Sequence, residues 1–284
     1  MLEQLLFSQM QMPMETARIF LALLGMAIGT YYDLFNNRNV PEKFLYAFLA
    51  IAFFFNVAFF DYDVFVYAVV LAFVLFALGF VMYRLGQLGG ADVFVIAALV
   101  LLLPIHPSYL NVPFNYPLIF SVLIYGGAAF ALYSIFFFAK ILSEKKARAR
   151  PKYAYLSLLL VYGLFAYLFF NAPFFSMAYF AIASVLLLSS IIFLVYRDAI
   201  MEATMEQVFV KDLEPENVLV RERMDAQMRK MGIGNVLSQK DIDALGKSGI
   251  RQVWVYSNLP PFLPFLFIGL VLALFFGNQL FLAF

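Results

Sequence analysis

Apolar residues in this chain come in runs long enough to cross a bilayer, and that limits the fold more than any other feature. A spanning helix needs about 20 mostly apolar residues. Eight stretches approach that length: 16–34, 42–60, 64–84, 92–104, 116–141, 153–170, 174–196 and 259–283. The fourth is short, which predicts a helix that is tilted, kinked or partly shielded by protein. The chain is 64% hydrophobic and 13% charged, whereas a soluble domain is nearer half apolar and a quarter charged. The fold class read from this is an α-helical polytopic membrane protein of about eight transmembrane segments, with the lipid bilayer as a partner. A formal net charge of +1 implies no nucleic-acid partner. The absence of cysteine excludes disulfides, thiolate metal sites and a cysteine nucleophile. The first 20 residues carry Glu3 and Glu15 and lack a basic n-region, so they do not read as a cleaved signal peptide.

Lys and Arg set the expected orientation, because basic residues accumulate on the cytoplasmic side. With the N-terminus outside and the chain alternating, the inner side receives Arg38, Lys43, Arg84, Lys140, the run "SEKKARARPK" (143–152), Arg197 and every basic residue that follows. Of 19 Lys and Arg, Arg18 alone falls outside. The basic run reads either as a topology determinant or as a contact for anionic head groups. The lone His106 sits in an outer loop, 104–117, and reads as an ordinary loop or interfacial histidine.

Between the seventh and eighth segments the chain turns polar. "VFVKDLEPENVLV" (208–220) predicts strand, turn, strand. "LSQKDIDALGKSG" (237–249) predicts a short helix with Ser238 as N-cap and Gly249 near its C-cap. "IRQVWVY" (250–256) predicts a last strand. The organisation expected is 1–197 for membrane helices one to seven, 198–257 for a small α/β cytoplasmic module, and 258–284 for the last transmembrane helix.

Two acids remain at the edges of apolar segments once loop and module acids are set aside. Asp33 closes the first segment and Asp92 opens the fourth. Two full crossings lie between them, and an even number of crossings returns the chain to the same face. Both aspartates are therefore expected at the inner ends of their helices, able to face one another if those helices pack together. Two close carboxylates share a proton rather than both ionising. Such a pair suits peptide hydrolysis: one member takes a proton from attacking water while the other donates to the carbonyl oxygen. No metal, cofactor or covalent intermediate is required. Helix ends suggest a division of labour, with Asp92 at a helix N-terminus as the ionised base and Asp33 at a C-terminus as the protonated acid. The structural alternatives are an N-cap role for Asp92 and simple solvation for Asp33. Gly86, Gly89 and Gly90 precede Asp92. They serve either close approach of an extended substrate or a tight turn between helices.

"LGGAD" (88–92) resembles the signature around the second catalytic aspartate of prepilin and preflagellin peptidases, membrane aspartyl proteases of the Gly-x-Gly-Asp type. Asp33 followed by "LFNNRN", Val40 and Pro41 resembles the first motif of that family. "DLEPENVLV", "GIRQVWVY" and "PPFLPFLFIG" resemble its archaeal branch. The departures are Ala91 in place of the second glycine, Glu42 where Asn or Asp follows the proline, and eight segments where the family core has about six. The resemblance implies that Asp33 and Asp92 are the catalytic pair, with Gly89, Gly90, Ala91 and Pro41 as supporting motif positions. It implies a protein substrate: the precursor of archaellin or of a type IV pilin, cut on the cytoplasmic side to release a short basic leader.

If the leader is basic, Asp212, Glu214 and Glu216 are candidates to attract it, against the plainer reading of solvated loop acids. "PFLPF" (261–265) reads either as part of the substrate cleft, by analogy with presenilin-type proteases, or as prolines in a first helical turn. Two other functions are weighed. A presenilin-like intramembrane protease predicts aspartates deep inside two helices. A transporter or assembly-platform subunit predicts polar residues near the bilayer midplane, where segments two, three and five to seven offer almost none; Asn56 lies toward the outer end of the second.

Overall fold

The computed structural model describes residues 11–36, 39–110, 116–145, 151–171, 176–220, 223–224, 228, 231–257 and 259–277. Arg38, residues 111–115 of the long loop, 146–150 of the basic run, 172–173 of the third outer loop and 278–283 of the last apolar segment lie outside the described residues.

All eight apolar stretches form helices: α1 (Glu15–Phe35), α2 (Glu42–Ala58), α3 (Tyr62–Arg84), α4 (Gly90–Leu102), α5 (Leu118–Glu144), α6 (Leu158–Asn171), α7 (Met177–Val195) and, after the polar stretch, α10 (Leu263–Phe276). A 3₁₀ turn, Tyr153–Ser157, leads into α6. The starts follow local chemistry. Asp61 caps α3, its carboxylate accepting from the Val64 amide at 3.0 Å. Ser176 caps α7 through the Tyr179 amide at 3.2 Å. Pro41 supplies the N-cap of α2, where it has no N–H to leave unsatisfied. Helix α3 ends at Arg84, and Gly86 two residues on has a φ of +75°, open to glycine and strained for other residues.

Among the described residues five helical stretches are long and apolar enough to span a membrane: Glu15–Phe35, Tyr62–Arg84, Leu118–Glu144, Tyr153–Asn171 and Met177–Val195. The shorter α4 and α10, of 13 and 14 residues, reach only about 20 Å at 1.5 Å per residue, against a hydrocarbon core of about 30 Å. Helix α4 tolerates this by being enclosed, whereas α10 buries one stripe and leaves Ile268, Phe275 and Phe276 exposed. Along α4, residues 97–102 are all buried, so shielding by protein is the outcome for the short fourth segment. A helix that ends inside a bundle must still satisfy its last carbonyls. Tyr109 and Tyr125 hydroxyls donate to Leu274 and Gly277 carbonyls at the end of α10, at 2.8 and 3.1 Å. Arg18 and Asn56 meet the end of α4. Arg18 and Asn56 are each 1% exposed, so both are enclosed by the bundle, a burial that segment counting does not address.

His106 lies in the loop between α4 and α5, as expected, and is likewise buried. Its Nδ1 donates to the Tyr116 carbonyl at 3.0 Å and its Nε2 accepts from Ser121 Oγ at 3.1 Å. The Tyr116 hydroxyl completes the chain to Ser121 Oγ at 2.8 Å. Burial pushes the imidazole down to about 4, with the Tyr116 hydrogen bond opposing. A depressed histidine stabilises the fold above its ordinary value of about 6.5. That contribution is lost as pH falls toward 4, by roughly 3 kcal/mol in all. We expect a fall in Tm between pH 7 and pH 4.5 in detergent that is smaller in His106→Gln, which keeps one donor and one acceptor. An equal fall in both would show that other groups carry the acid sensitivity.

The polar stretch forms α8 (Arg197–Thr204), β1 (Met205–Phe209), β2 (Val218–Leu219), α9 (Gln239–Lys247) and β3 (Gln252–Tyr256). Ser238 caps α9 in a reciprocal capping box with Asp241, and Ser248 and Gly249 end it. The first strand starts three residues earlier than expected. The two strands flanking "KDLEPEN" do not pair with each other; β3 enters between them, antiparallel to both, giving the order β1-β3-β2. Val210, Leu213, Leu219, Leu237, Leu245, Val253 and Val255 are among the residues of a separate apolar cluster under this sheet.

Candidate active site

Helix α1 buries one stripe, Arg18, Ala22, Gly25, Met26, Gly29 and Asp33, at the three- and four-residue spacing of a single helical face. Asp33 is the last member. Helix α4 begins at Gly90 with Asp92 in its first turn. The carboxylates are 8% and 9% exposed, and Asp33 is a charged neighbour acting directly on Asp92. The two sequence-selected aspartates are thus both buried and within electrostatic reach of one another, which agrees with the same-face placement that the parity of crossings predicts.

Each carboxylate accepts a backbone amide. Gly89 N donates to Asp92 Oδ2 at 3.2 Å, and Leu263 N donates to Asp33 Oδ2 at 3.1 Å. The first bond shows that Asp92 is not the N-cap of α4. Gly89 holds that position, and Asp92 reaches back to it from the third helical residue. The second bond was not foreseen, and it changes an expectation. Asp33 closes α1, but its carboxylate also lies at the N-terminus of α10. Both aspartates thus face partial positive charge from a helix N-terminus. The helix-end asymmetry offered to separate base from acid is thereby reduced, since Asp33 lies both at the end of α1 and at the start of α10, and the proton of such a pair belongs to the pair.

The glycines make room for carboxylates. A side chain on Gly89 would lie 2.9 Å from Asp92 Oδ2, and one on Gly90 would lie 2.6 Å from Glu216 Oε1 and 3.3 Å from the Tyr83 ring. Gly86 provides the turn and sits against Val218, 3.0 Å from where its Cβ would be. Ala91 is half-buried and packs on the bundle core. Pro41 stands at the start of α2, one residue before Glu42.

Glu216 is the acid of "KDLEPEN" that the structure draws into the site. Its φ of +73° is uncommon for a non-glycine residue, and its amide donates to the Leu237 carbonyl at 2.8 Å. The residue is exposed as a whole, but its carboxylate end is pressed against Gly90 and acts on Asp92. Burial, and then the negative charge of Glu42, push its proton affinity above the ordinary carboxylate range. Asp212 and Glu214 stay exposed on the module. Asn235 Nδ2 donates to the Leu85 carbonyl at 3.4 Å, a second tie between the module and the loop that leads to Asp92.

Of the prolines in "PPFLPF", Pro264 occupies the first turn of α10, where proline is tolerated. Pro260 and Pro261 precede the helix. What this stretch contributes to the site is the Leu263 amide. A proline-marked helix start beside an aspartate-bearing helix was the signal available for it: the first amides of a helix lack intrahelical acceptors. Among the described residues no group of three or more His, Asp or Glu is placed to hold a metal ion.

Comparison with known proteins gives one finding. Residues 20–143 match the model of the type IV leader peptidase family. The matched segment contains Asp33, Asp92, the 88–92 motif and all of α2, α3 and α4; α6, α7 and the polar module lie beyond it. The resemblance noted on the motifs is thus found independently over that segment, and it supports a leader-peptidase-like protease in general terms. No curated protein and no solved structure matches the chain.

Proposed function

Starting from the type IV leader peptidase match over residues 20–143, we propose that the protein is a membrane aspartyl endopeptidase whose catalytic pair is Asp33 and Asp92. Its substrate is the precursor of an archaellin or type IV pilin, cut at the cytoplasmic face to release a short basic leader. What supports this reading is a pair of buried carboxylates within electrostatic reach of one another, each accepting a backbone amide, inside the matched segment.

The chemistry needs one water and one shared proton. The ionised carboxylate takes a proton from water as the oxygen attacks the scissile carbonyl carbon. The protonated carboxyl donates to the carbonyl oxygen, giving a tetrahedral diol. Proton transfer to the amide nitrogen then lets the C–N bond break, and the pair regains its starting state. The amides of Gly89 and Leu263 hold the two carboxylates throughout, which avoids reorganisation during the reaction.

Incubation of the protein in detergent with a precursor, followed by mass spectrometry of the product N-terminus, tests the reading. A single cut just before the substrate's hydrophobic segment is expected. A cut within that segment would favour the presenilin-like alternative, and no cut would refute the proposal.

Asp212, Glu214 and Glu216 form an acidic approach for the leader in this reading. Reversing Asp212 and Glu214 with Glu216→Gln should raise KM more at 10 mM salt than at 150 mM, because screening lengths fall from about 30 to about 8 Å. No dependence on salt would remove the acidic approach from the mechanism. The elevated proton affinity of Glu216 adds a sign: its attraction for a cation fades with acidification sooner than that of an ordinary carboxylate.

A further inference from the structure

Arg18, Asp33 and Asp92 are the charged side chains buried among the described residues. Two are the carboxylates already discussed. The third lies at the other end of the bundle, about 22 Å along α1 from Asp33 at 1.5 Å per residue, on the same buried stripe. Burying a guanidinium among apolar helices is costly, so intramembrane ionisable residues are rarely passive. This one has no carboxylate in ion-pair contact among the described residues. It spends its donors on uncharged oxygens instead: Pro13 O at 2.8 Å, Asn56 Oδ1 at 2.9 Å, Leu101 O at 3.3 Å and Leu102 O at 3.2 Å. Asn56 Nδ2 adds a bond to Leu101 O at 2.8 Å, and the guanidinium lies over the Phe55 ring, 5.3 Å from its centroid.

The two carbonyls belong to the last turn of α4, the helix that begins with Asp92. A cation at a helix C-terminus is favourable, and a planar fork fixes geometry that a point charge does not. Among the buried side chains of α4 itself Asp92 is the one that is polar, the rest being Gly, Ala, Val and Leu, and apolar packing is non-directional, so a polar grip at one end is what can fix its axial position. Its other end is joined to α3 by a loop containing Gly86 and Gly89. Arg18 grips the end where the helix can be held.

We propose that Arg18, with Asn56, is a positioning residue that sets the axial register of the Asp92 helix against the Asp33 helix, and so the separation of the two carboxylates. The proposal rests on the peptidase reading for its catalytic consequence, but not for the clamp itself.

Two measurements separate these. The chain has no cysteine, so spin labels on Leu34→Cys and Gln87→Cys, both exposed, report the distance between the inner ends without background. One narrow distribution is expected with Arg18 present, a broad or displaced one in Arg18→Met, and partial recovery in Arg18→Lys. In the unlabelled protein, Arg18→Met should lower kcat on a cleaved precursor by about 10²-fold, the scale of a 1 Å misplacement, and leave KM unchanged because Arg18 is far from the substrate. An unchanged distance distribution in Arg18→Met overturns the proposal whatever the activity. A broadened distribution with unaltered kcat also overturns it, since register would then not matter to the reaction. If Arg18→Met does not accumulate as folded protein, Asn56→Leu removes two of the same bonds and must broaden the distribution; failure to do so overturns the clamp. If the wild type cuts no precursor, the peptidase reading falls and the distances still decide the clamp.

Discussion

Asp92→Asn should reduce turnover of the precursor by roughly 10²- to 10⁴-fold, the range a positioned acid–base group contributes, while leaving the helices in place. The structure makes this a discriminating substitution. The Asp92 carboxylate has a local duty as well as its electrostatic interaction with Asp33: it accepts the Gly89 amide across the first turn of α4. Asparagine keeps an oxygen that can accept that bond and loses the charge. A purely structural aspartate would therefore tolerate the change, with activity near wild type and Tm shifted little. Asp33→Asn is expected to behave alike, because an asparagine oxygen can still accept from Leu263 N. Cleavage assays at matched expression, with Tm measured on the same samples, give the answer. Activity retained in either variant would remove that residue from the catalytic pair even if the protein proves to be a peptidase.

Gly269→Leu should be the most damaging substitution outside the aspartates. Helices α5 and α10 cross where Gly126 meets Gly269. A Cβ on Gly269 would collide with the Val122 carbonyl and lie 2.8 Å from Gly126 N and 2.9 Å from Gly126 Cα; one on Gly126 would lie 2.7 Å from Phe265 O. Every obstacle is backbone, so no side chain can swing aside and the helices must part. Overpacking of this kind costs about 1–3 kcal/mol. Here the displaced helix is also the one whose first amide holds Asp33, so activity should fall further than the loss of folded protein explains. Gly163→Ala is the control. Nothing lies within 4 Å of its added Cβ, and alanine favours a helix interior by about 0.5–1 kcal/mol. Equal Tm values for Gly269→Leu and wild type would mean that the crossing is looser than the structure has it.

The membrane helices were legible because each rests on a long, one-dimensional signal. The placement of Asp33 and Asp92 at one end of the bundle was legible for a different reason: parity of crossings is topological and survives errors of several residues at helix ends, whereas how near the two come depends on which helices pack together. What escaped were contacts carried by groups with no residue-type signature. The Leu263 amide could belong to any residue, yet it places Asp33 at a second helix end and weakens an argument about proton location that was sound for α1 alone. The sheet order escaped because β3 pairs with β1 and β2 over long sequence separations, whereas strand propensity is local. The burial of Arg18, Asn56 and His106 was not legible, because counting apolar segments places residues along the chain and says nothing of enclosure. Short helices inside a bundle need polar partners for their ends, and that requirement brings Arg18 and Asn56 inside. Glu216 was singled out for its charge, but its approach to Gly90 depends on a positive φ that no residue type announced.

The order of β1, β3 and β2 also has a consequence for biosynthesis. The central strand is the last to be made, and the amide that holds Asp33 follows it at residue 263. A nascent chain that has just passed residue 250 carries both aspartates but neither a closed sheet nor the donor to Asp33. At roughly 5–20 residues per second, the ribosome takes on the order of ten seconds or more to travel from Asp92 to Leu263. Throughout that interval the chain holds two acidic helix ends without the amide donor to Asp33. On the proposed peptidase reading, completion of the site by α10 ties activity to synthesis past residue 263, and products truncated before it are expected to be inert rather than loosely proteolytic.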